Sequence, residues 1–287
     1  MIVEKMTRRM DAMRRTIRKW IWLRRHGPAS QHRGIFILGA QRSGTTMLAS
    51  CFENSPEFDV YGEMSVAFKN SVLKSLDETR SLIAASKRPF IAFKPLTDSH
   101  RADALLATDA GSKAIWMYRR VEDRANSAVS KFGDTNLRFL RELMEKGPTD
   151  RWEARGITAE TLSVLRKLDY AQMSAQSAAG VFWYLRNQLF FDQRLDTNPD
   201  VLLLKYEMLV RDPERVMRIV CDFLGCRFFE EMIKHIHAQS IGRNDSRLSS
   251  EAEKLCGAVT VRLDKSMSRQ WRALGANAEL LAVNIGR

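Results

Sequence analysis

The apolar positions of the chain gather into four short runs, separated by longer stretches with helical spacing. The runs lie at residues 35–38, 90–94, 114–118 and 201–206. Gly39 breaks the first, Pro95 ends the second, and the pair Arg119-Arg120 follows the third. Short apolar runs without alternation predict strands covered on both faces. Helices are predicted from the glycine break to about Phe52, where Asn54-Ser55-Pro56 stops the chain, and roughly over residues 101–108, 122–132, 157–167, 172–194 and 213–224. The last is the best punctuated. Asp212 is placed to cap it, Pro213 suits a first turn and Gly225 sits just past its end, while Val216, Ile219, Val220, Phe223 and Leu224 make one stripe. Strands alternating with helices predict an α/β fold: a central parallel sheet covered by helices on both faces.

The N-terminus reads differently. Residues 1–25 carry Met6, Met10, Met13, Ile17 and Trp20 at spacings of three and four, the pattern of an amphipathic helix that His26-Gly27-Pro28 ends. Ten of the basic residues fall in residues 1–33, against Glu4 and Asp11 alone, so most of the net charge of +12 belongs to this segment. The chain therefore divides into a basic extension, residues 1–30, and one domain, residues 31–287. A membrane-surface or acidic-partner contact and a solvated extension both fit the extension; a nucleic-acid role lacks any accompanying fold and is not expected. No apolar stretch approaches the ~20 residues of a transmembrane helix. The segment is too basic, and its apolar part (residues 20–23) too short, for a secretory signal. Cys51, Cys221, Cys226 and Cys256 show no metal-ligand spacing and are expected as reduced thiols, which points to a cytoplasmic protein.

The chemistry concentrates at residues 34–48, Gly-Ile-Phe-Ile-Leu-Gly-Ala-Gln-Arg-Ser-Gly-Thr-Thr-Met-Leu. A strand, a glycine loop and a helix start in this order aim backbone N–H groups at an anion, and the helix N-terminus adds the positive end of its dipole. The spacing of Gly39 and Gly44 is that of a phosphate loop, so the fold is expected to be of the P-loop nucleotide-binding type. The lysine that should follow the second glycine is absent: Thr45 stands there, and the cation of the loop is Arg42. Residues 39–46 (Gly39, Ala40, Gln41, Arg42, Ser43, Gly44, Thr45 and Thr46) are thus expected to hold a phosphate that is not part of a metal-bridged triphosphate.

In a parallel sheet the strand C-terminal ends share one edge, where ligands bind. Arg42 follows the first strand, Lys94 ends the second and Arg119 follows the third, so three cations are expected at that edge. If Asp123 opens the next helix, Ser127 lies about one turn in, and Arg119 with Ser127 could hold a second phosphate through a charged fork and a hydroxyl.

These residues resemble the sulfotransferase superfamily, which uses 3′-phosphoadenosine 5′-phosphosulfate. Gly39 to Thr46 matches that family's pattern Gly-x-x-Lys/Arg-Ser/Thr-Gly-Thr-Thr for the 5′-phosphosulfate. Arg119, Asp123 and Ser127 match its 3′-phosphate motif, an arginine with an aspartate four residues on and a serine eight on, although the family often has Asp-Pro after the arginine where this chain has Arg120-Val121. Tyr206-Glu207-x-Leu209-x-x-Asp212-Pro213 and Phe223-Leu224-Gly225 are similar to the family's late strand and helix, so the likeness covers residues 34–230.

The resemblance implies the donor, with adenosine 3′,5′-bisphosphate as product and no metal, and a hydroxyl-bearing acceptor. Sulfuryl transfer is an in-line exchange with charge spread over peripheral oxygens, akin to phosphoryl transfer. Arg42 and the loop N–H groups suit the leaving phosphate, and Lys94 stands where relatives often carry a catalytic lysine. Glycan-type members use a glutamate after the first helix, a place Glu63 in Tyr61-Gly62-Glu63-Met64 resembles; others use a histidine after the second strand, where this chain has Leu96 and, four residues on, His100. Glu63 is the preferred base and His100 the alternative. A glutamate base implies a carbohydrate or glycolipid acceptor. Arg243, after Gly242 in a basic segment, is a further candidate for the donor, whereas Trp183 and Asn187 read as core. The rival readings are a P-loop small-molecule kinase using ATP and magnesium, and a non-catalytic membrane-surface protein built on residues 1–25.

Overall fold

A computed structural model describes residues 2–236 and 247–282. Helix α1 spans Ile2–His26, and the domain begins with strand β1, Arg33–Gly39, which passes through the glycine loop into α2, Thr45–Asn54. Strand β2, Phe58–Tyr61, follows, then a small ribbon of β3, Phe68–Lys69, and β4, Val72–Leu73, and helix α3, Leu76–Ala85. Strand β5, Phe90–Phe93, leads through a 3-10 helix, Leu96–Arg101, into the short α4, Ala102–Leu106. Strand β6, Lys113–Tyr118, precedes α5, Val121–Phe132, α6, Thr135–Lys146, α7, Ala159–Leu165, and α8, Ala175–Asp192. The chain closes with β7, Val201–Lys205, α9, Tyr206–Arg211, α10, Pro213–Leu224, α11, Ser250–Ala273, and α12, Ala278–Ala282.

The five main strands form one parallel sheet in the order β2-β5-β1-β6-β7. All of β5 and β7, and all but the first residue of β1 and of β6, are buried, which is why these runs are apolar without alternation. The expected architecture therefore holds. After β1 the chain moves toward β5 and β2, while after β6 it moves toward β7. The loops beyond these two neighbours diverge, and a crevice opens at their C-terminal ends.

Helix α8 has almost no polar face because it is buried among α5, α6 and α11. Trp183 and Asn187 are both fully buried there, and Asn187 accepts a hydrogen bond from Trp116 Nε1 at 3.2 Å, so the pair serves the core as read. Cys51, Cys221 and Cys256 are buried thiols and Cys226 is half-buried. Among the described residues no helix is long and apolar enough to cross a membrane.

Several elements differ from the sequence reading. The run at 201–206 ends one residue early, and Tyr206 opens α9 instead. Helix α5 begins at Val121, two residues before Asp123, because the Arg120 N–H is taken by Glu207 Oε1 at 3.1 Å; Asp123 falls in the first turn, where its charge favours the helix dipole. Strand β2, α3, α6 and α11 were not predicted at all.

Candidate active site

The loop after β1 is held open by backbone geometry that only particular residues tolerate. Gly39 has φ of 120° and Gly44 has φ of 88°, both in the left-handed region. A Cβ on Gly39 would collide with the carbonyl oxygen of Met117, and one on Gly44 with the ring of Tyr206. Arg42 also has a positive φ, 68°, unusual for a residue with a side chain, and its turn carries the guanidinium toward α5. Helix α2 starts at Thr45 without a side-chain cap and without an acidic residue in its first turn. Its first N–H groups therefore keep their donors and its dipole is not neutralised. Gly44, Thr45, Thr46 and Met47 line the adjoining cavity, about 520 Å³ in volume.

The loop is fastened from beneath. The Gly39 N–H donates to Ser99 Oγ at 3.2 Å, so the 3-10 helix after β5 holds one end. Arg124 Nε donates to the Gln41 carbonyl at 3.0 Å and holds the middle. That arginine is fully buried, donates also to the Ala179 carbonyl at 2.7 Å, and lies with its guanidinium 5.3 Å from the Phe182 ring. Burial, with the repulsion of Arg42, lowers its pKa to about 9. It remains charged at neutral pH and places a second cation directly under the loop.

Across the cavity stand Arg119, Asp123, Asn126, Ser127 and Ser130, with Tyr206 between them and the loop. Residues 123, 126, 127 and 130 share one face of α5, being three, four and seven apart. The guanidinium of Arg119 stacks 4.5 Å from the Tyr206 ring, and that ring also closes on Gly44. Tyr206 is thus one wall for both ends of the cavity. Ser127 meets the arginine of the loop: Arg42 Nε donates to Ser127 Oγ at 3.0 Å. Arg42, Arg119 and Ser127, drawn from separate segments, line one cavity.

Beyond the loop lies the second group. The Lys94 N–H donates to the Tyr61 carbonyl at 3.1 Å, which extends the β2–β5 pairing past Tyr61 and Phe93. This register carries Glu63 against Lys94: the carboxylate and the ammonium are 3.0 Å apart, and Lys94 Nζ donates to Thr46 Oγ1 at 3.2 Å. A continuous polar chain therefore runs from Glu63 through Lys94 to the helix start. His100 is elsewhere. It sits on the 3-10 helix with Nδ1 3.3 Å from the Thr97 carbonyl and its Cβ against Gly156; Glu63, Lys94 and His100 all lie outside the cavity lining, and of the three only Glu63 and Lys94 are joined to it, through Thr46. Arg243 lies outside the described residues.

Burial, reinforced by the neighbouring Arg186, pushes the His100 imidazole below its ordinary pKa. The folded state therefore binds fewer protons there than the unfolded state, and stability is lost as pH falls through about 6.5 and below. Denaturation midpoints of the wild type are expected to fall more between pH 7 and pH 5 than those of His100→Gln; parallel pH profiles would remove His100 as the cause.

The site holds features that suit an anionic, oxygen-rich ligand. Glycine is required where the loop curves, the start of α2 has no side-chain cap, and Ser43 Oγ is buried in the loop with no partner among the described residues. The residues that sequence reasoning missed are Arg124, Asn126, Ser130, Ser99 and Tyr206. Asn126 and Ser130 were findable from their spacing to Asp123 and Ser127; Arg124 and Ser99 carry no signal short of the fold.

Several solved structures are similar to the chain. The sulfotransferase domain from the curacin biosynthetic pathway is 17% identical with a TM-score of 0.48, covering 80% of this chain and 99% of that one. A sulfotransferase from Alicyclobacillus acidocaldarius is 14% identical with a TM-score of 0.46, covering 88% and 99%. The mouse sulfotransferase SULT7A1, solved in complex with PAP, is 16% identical with a TM-score of 0.42, covering 86% and 89%. No curated protein sequence matches the chain. The profile of the Sulfotransferase family matches residues 34–231, the glycine loop, α5 and the Tyr206 wall included. On that match over more than half of its length, this P-loop protein belongs to the sulfotransferase family and transfers a sulfuryl group from 3′-phosphoadenosine 5′-phosphosulfate, not a phosphoryl group from ATP.

Proposed function

We propose that the enzyme sulfates a hydroxyl of a carbohydrate or glycolipid, with Glu63 as general base, Lys94 at the bridging oxygen, and Arg42 with the loop N–H groups at the leaving phosphate. The observation that carries this reading is the chain Glu63–Lys94–Thr46, which sets a carboxylate within one ammonium of the phosphate loop.

The donor supplies the sulfuryl group: its sulfur–oxygen bond to the 5′-phosphate breaks as the acceptor oxygen bonds to sulfur. Each residue has one task in that exchange. Glu63 takes the proton of the acceptor hydroxyl, because its carboxylate has oxygen lone pairs and is linked through Lys94 to Thr46 at the helix start. Lys94, only 12% exposed at its side chain, lies between that carboxylate and Thr46 and stabilises the charge growing on the bridging oxygen. Arg42 and the uncapped N–H groups of α2 receive the charge of the departing phosphate. Arg119 and Ser127 hold the 3′-phosphate at the other end of the cavity, with Arg119 kept in place by Tyr206. The acceptor partner is met in the cytoplasm, and α1 gives the enzyme a contact with a membrane surface.

Thermal unfolding with ligands tests the donor half. Adenosine 3′,5′-bisphosphate without metal is expected to raise stability by ~2.7 kcal/mol at ~100 times its dissociation constant. Stabilisation by ATP with magnesium alone would overturn the assignment of the two phosphate positions. Turnover of the donor against a panel of sugars, glycolipids and phenols tests the acceptor half. Glycan or glycolipid sulfation is expected, and turnover of phenols alone would refute it.

A further inference from the structure

Helix α1 shows two faces that do different things. One is fixed to the domain by its later turns. Lys19 Nζ donates to the Phe58 carbonyl at 2.6 Å, Arg18 pairs with Glu231 at 3.5 Å, and the Arg88 guanidinium lies 5.5 Å from the Trp22 ring. Ala12, Arg15, Lys19, Trp22 and Leu23 are half-buried on this side. The other face points away from the domain. Met10, Met13, Ile17 and Trp20 are 49%, 61%, 48% and 59% exposed, and Ile21, 38% exposed, stands at the edge of this face, beside a groove that Pro56 and Phe229 of the domain also line. At ~100° per residue these five fall within about a third of the helix circumference. Met10, Met13, Ile17 and Trp20 make one continuous apolar stripe that the other described residues leave exposed. Arg9, Arg14, Arg24 and Arg25 are exposed around it, and the Arg24 guanidinium lies 5.4 Å from the Trp20 ring.

We infer that this outward stripe of α1 docks the enzyme on an anionic lipid bilayer, with the helix lying in the plane of the interface between the membrane and the domain. Three observations select that occupant. An apolar stripe flanked by arginines needs a partner that offers hydrocarbon at its centre and anions at its edges, which is the layering of an acidic bilayer surface. A second copy of this chain would cover the stripe but would bring the same arginines against one another, at a cost in like-charge repulsion. Tryptophan beside arginine suits the headgroup depth, where the ring is buried and the cation stays wet. The anchoring through Arg18, Lys19 and Trp22 fixes which face is turned outward, so the stripe is presented without any rearrangement of the domain. This inference deepens the membrane contact proposed above and rests on none of the sulfuryl-transfer chemistry.

The test is flotation of the full chain with vesicles of phosphatidylcholine mixed with phosphatidylglycerol, against vesicles of phosphatidylcholine alone. Binding is expected to the mixed vesicles, to weaken with salt, and to be far poorer on neutral ones. Ile17→Ser with Trp20→Ser together should lower partitioning ~10-fold or more, since two inserted side chains lose their apolar burial. Arg24→Gln and Arg25→Gln should each lower it ~5-fold, the factor of one basic residue near an acidic surface. Unchanged thermal stabilisation by adenosine 3′,5′-bisphosphate in the same variants checks that the domain is intact. Equal binding of the Ile17/Trp20 double variant, or no binding of the wild type, overturns the proposal. A concentration-dependent dimer in sedimentation that the double variant abolishes, without vesicle binding, would overturn it in favour of a second copy. Vesicle binding is read without donor or acceptor, so its failure and a failure of the acceptor assignment cannot be confused.

Discussion

Glu63→Gln is expected to keep donor affinity and to lose about 10²–10⁴-fold in turnover, the contribution of a positioned general base. Glutamine keeps the size of the side chain and one acceptor oxygen for Lys94 Nζ, now 3.0 Å from the carboxylate. It cannot take the acceptor proton. The fold should survive, because glutamine fills the same space and keeps a hydrogen-bond acceptor for Lys94 Nζ. Affinity for adenosine 3′,5′-bisphosphate by calorimetry and single-turnover sulfation of an acceptor found by screening separate the two effects. His100→Ala is the control: its imidazole lies beside Thr97 and Gly156, so activity should change little. Full activity in Glu63→Gln with a large loss in His100→Ala would move the base to His100. Loss in neither would displace the acceptor site from the Glu63 end of the loop.

Arg119→Ala should weaken nucleotides with a 3′-phosphate far more than those without one. A hydrogen bond to a charged group is worth about 1.5–3 kcal/mol, so the expected loss is roughly 10- to 150-fold for adenosine 3′,5′-bisphosphate. Adenosine 5′-phosphate, which meets only the loop, should lose little. The variant also removes the guanidinium from the Tyr206 ring, 4.5 Å away, and from the neighbourhood of buried Glu207. Burial raises the pKa of that carboxylate, and Arg119 is one of the charges that oppose the rise. Arg119→Met is therefore the better-packed companion, filling the space above Tyr206 without charge. Equal weakening of both nucleotides by both substitutions would mean that Arg119 supports the cavity wall and does not read the 3′-phosphate.

Much of this site was legible because its parts are local. A glycine loop between a buried strand and a helix is a contiguous segment, and its requirements are stereochemical: positive φ at Gly39 and Gly44, and room for Met117 and Tyr206. Arg119, Asp123 and Ser127 were legible for a similar reason, since one strand end and one helix face relate them. The missed elements failed on other grounds. Strand β2, four residues containing Asp59, is a half-covered edge strand with too short an apolar pattern to stand alone; pairing with β5 makes it a strand. Helix α11 carries a regular stripe, Ala252, Cys256, Val259, Leu263, Met267 and Trp271, but small residues and Gly257 dilute it until β7 and α8 provide a surface to bury it.

The parallel α/β architecture, the phosphate loop with its arginine in place of a lysine, and the second cation at the end of β6 are all readable from local runs of residues. Backbone stereochemistry, burial on two faces and helix spacing act over a few residues, so they are written in short segments. Which distant groups meet depends on how the segments pack. The β2–β5 register brings Glu63 to Lys94, and α5 lays Ser127 against Arg42. Arg124 is sent under the loop to Gln41, although nothing in the run Val-Glu-Asp-Arg separates it from a solvated arginine. Tyr206, read as the end of a strand, becomes the first residue of α9 and the wall shared by Gly44 and Arg119. The outward turn of Met10, Met13, Ile17 and Trp20 is of the same kind. An amphipathic pattern has one apolar face, and here anchoring through Lys19 and Trp22 turned that face away from the domain. These are contacts between segments far apart in the chain, set by strand order, helix docking and the desolvation of charge, and no local pattern encodes them.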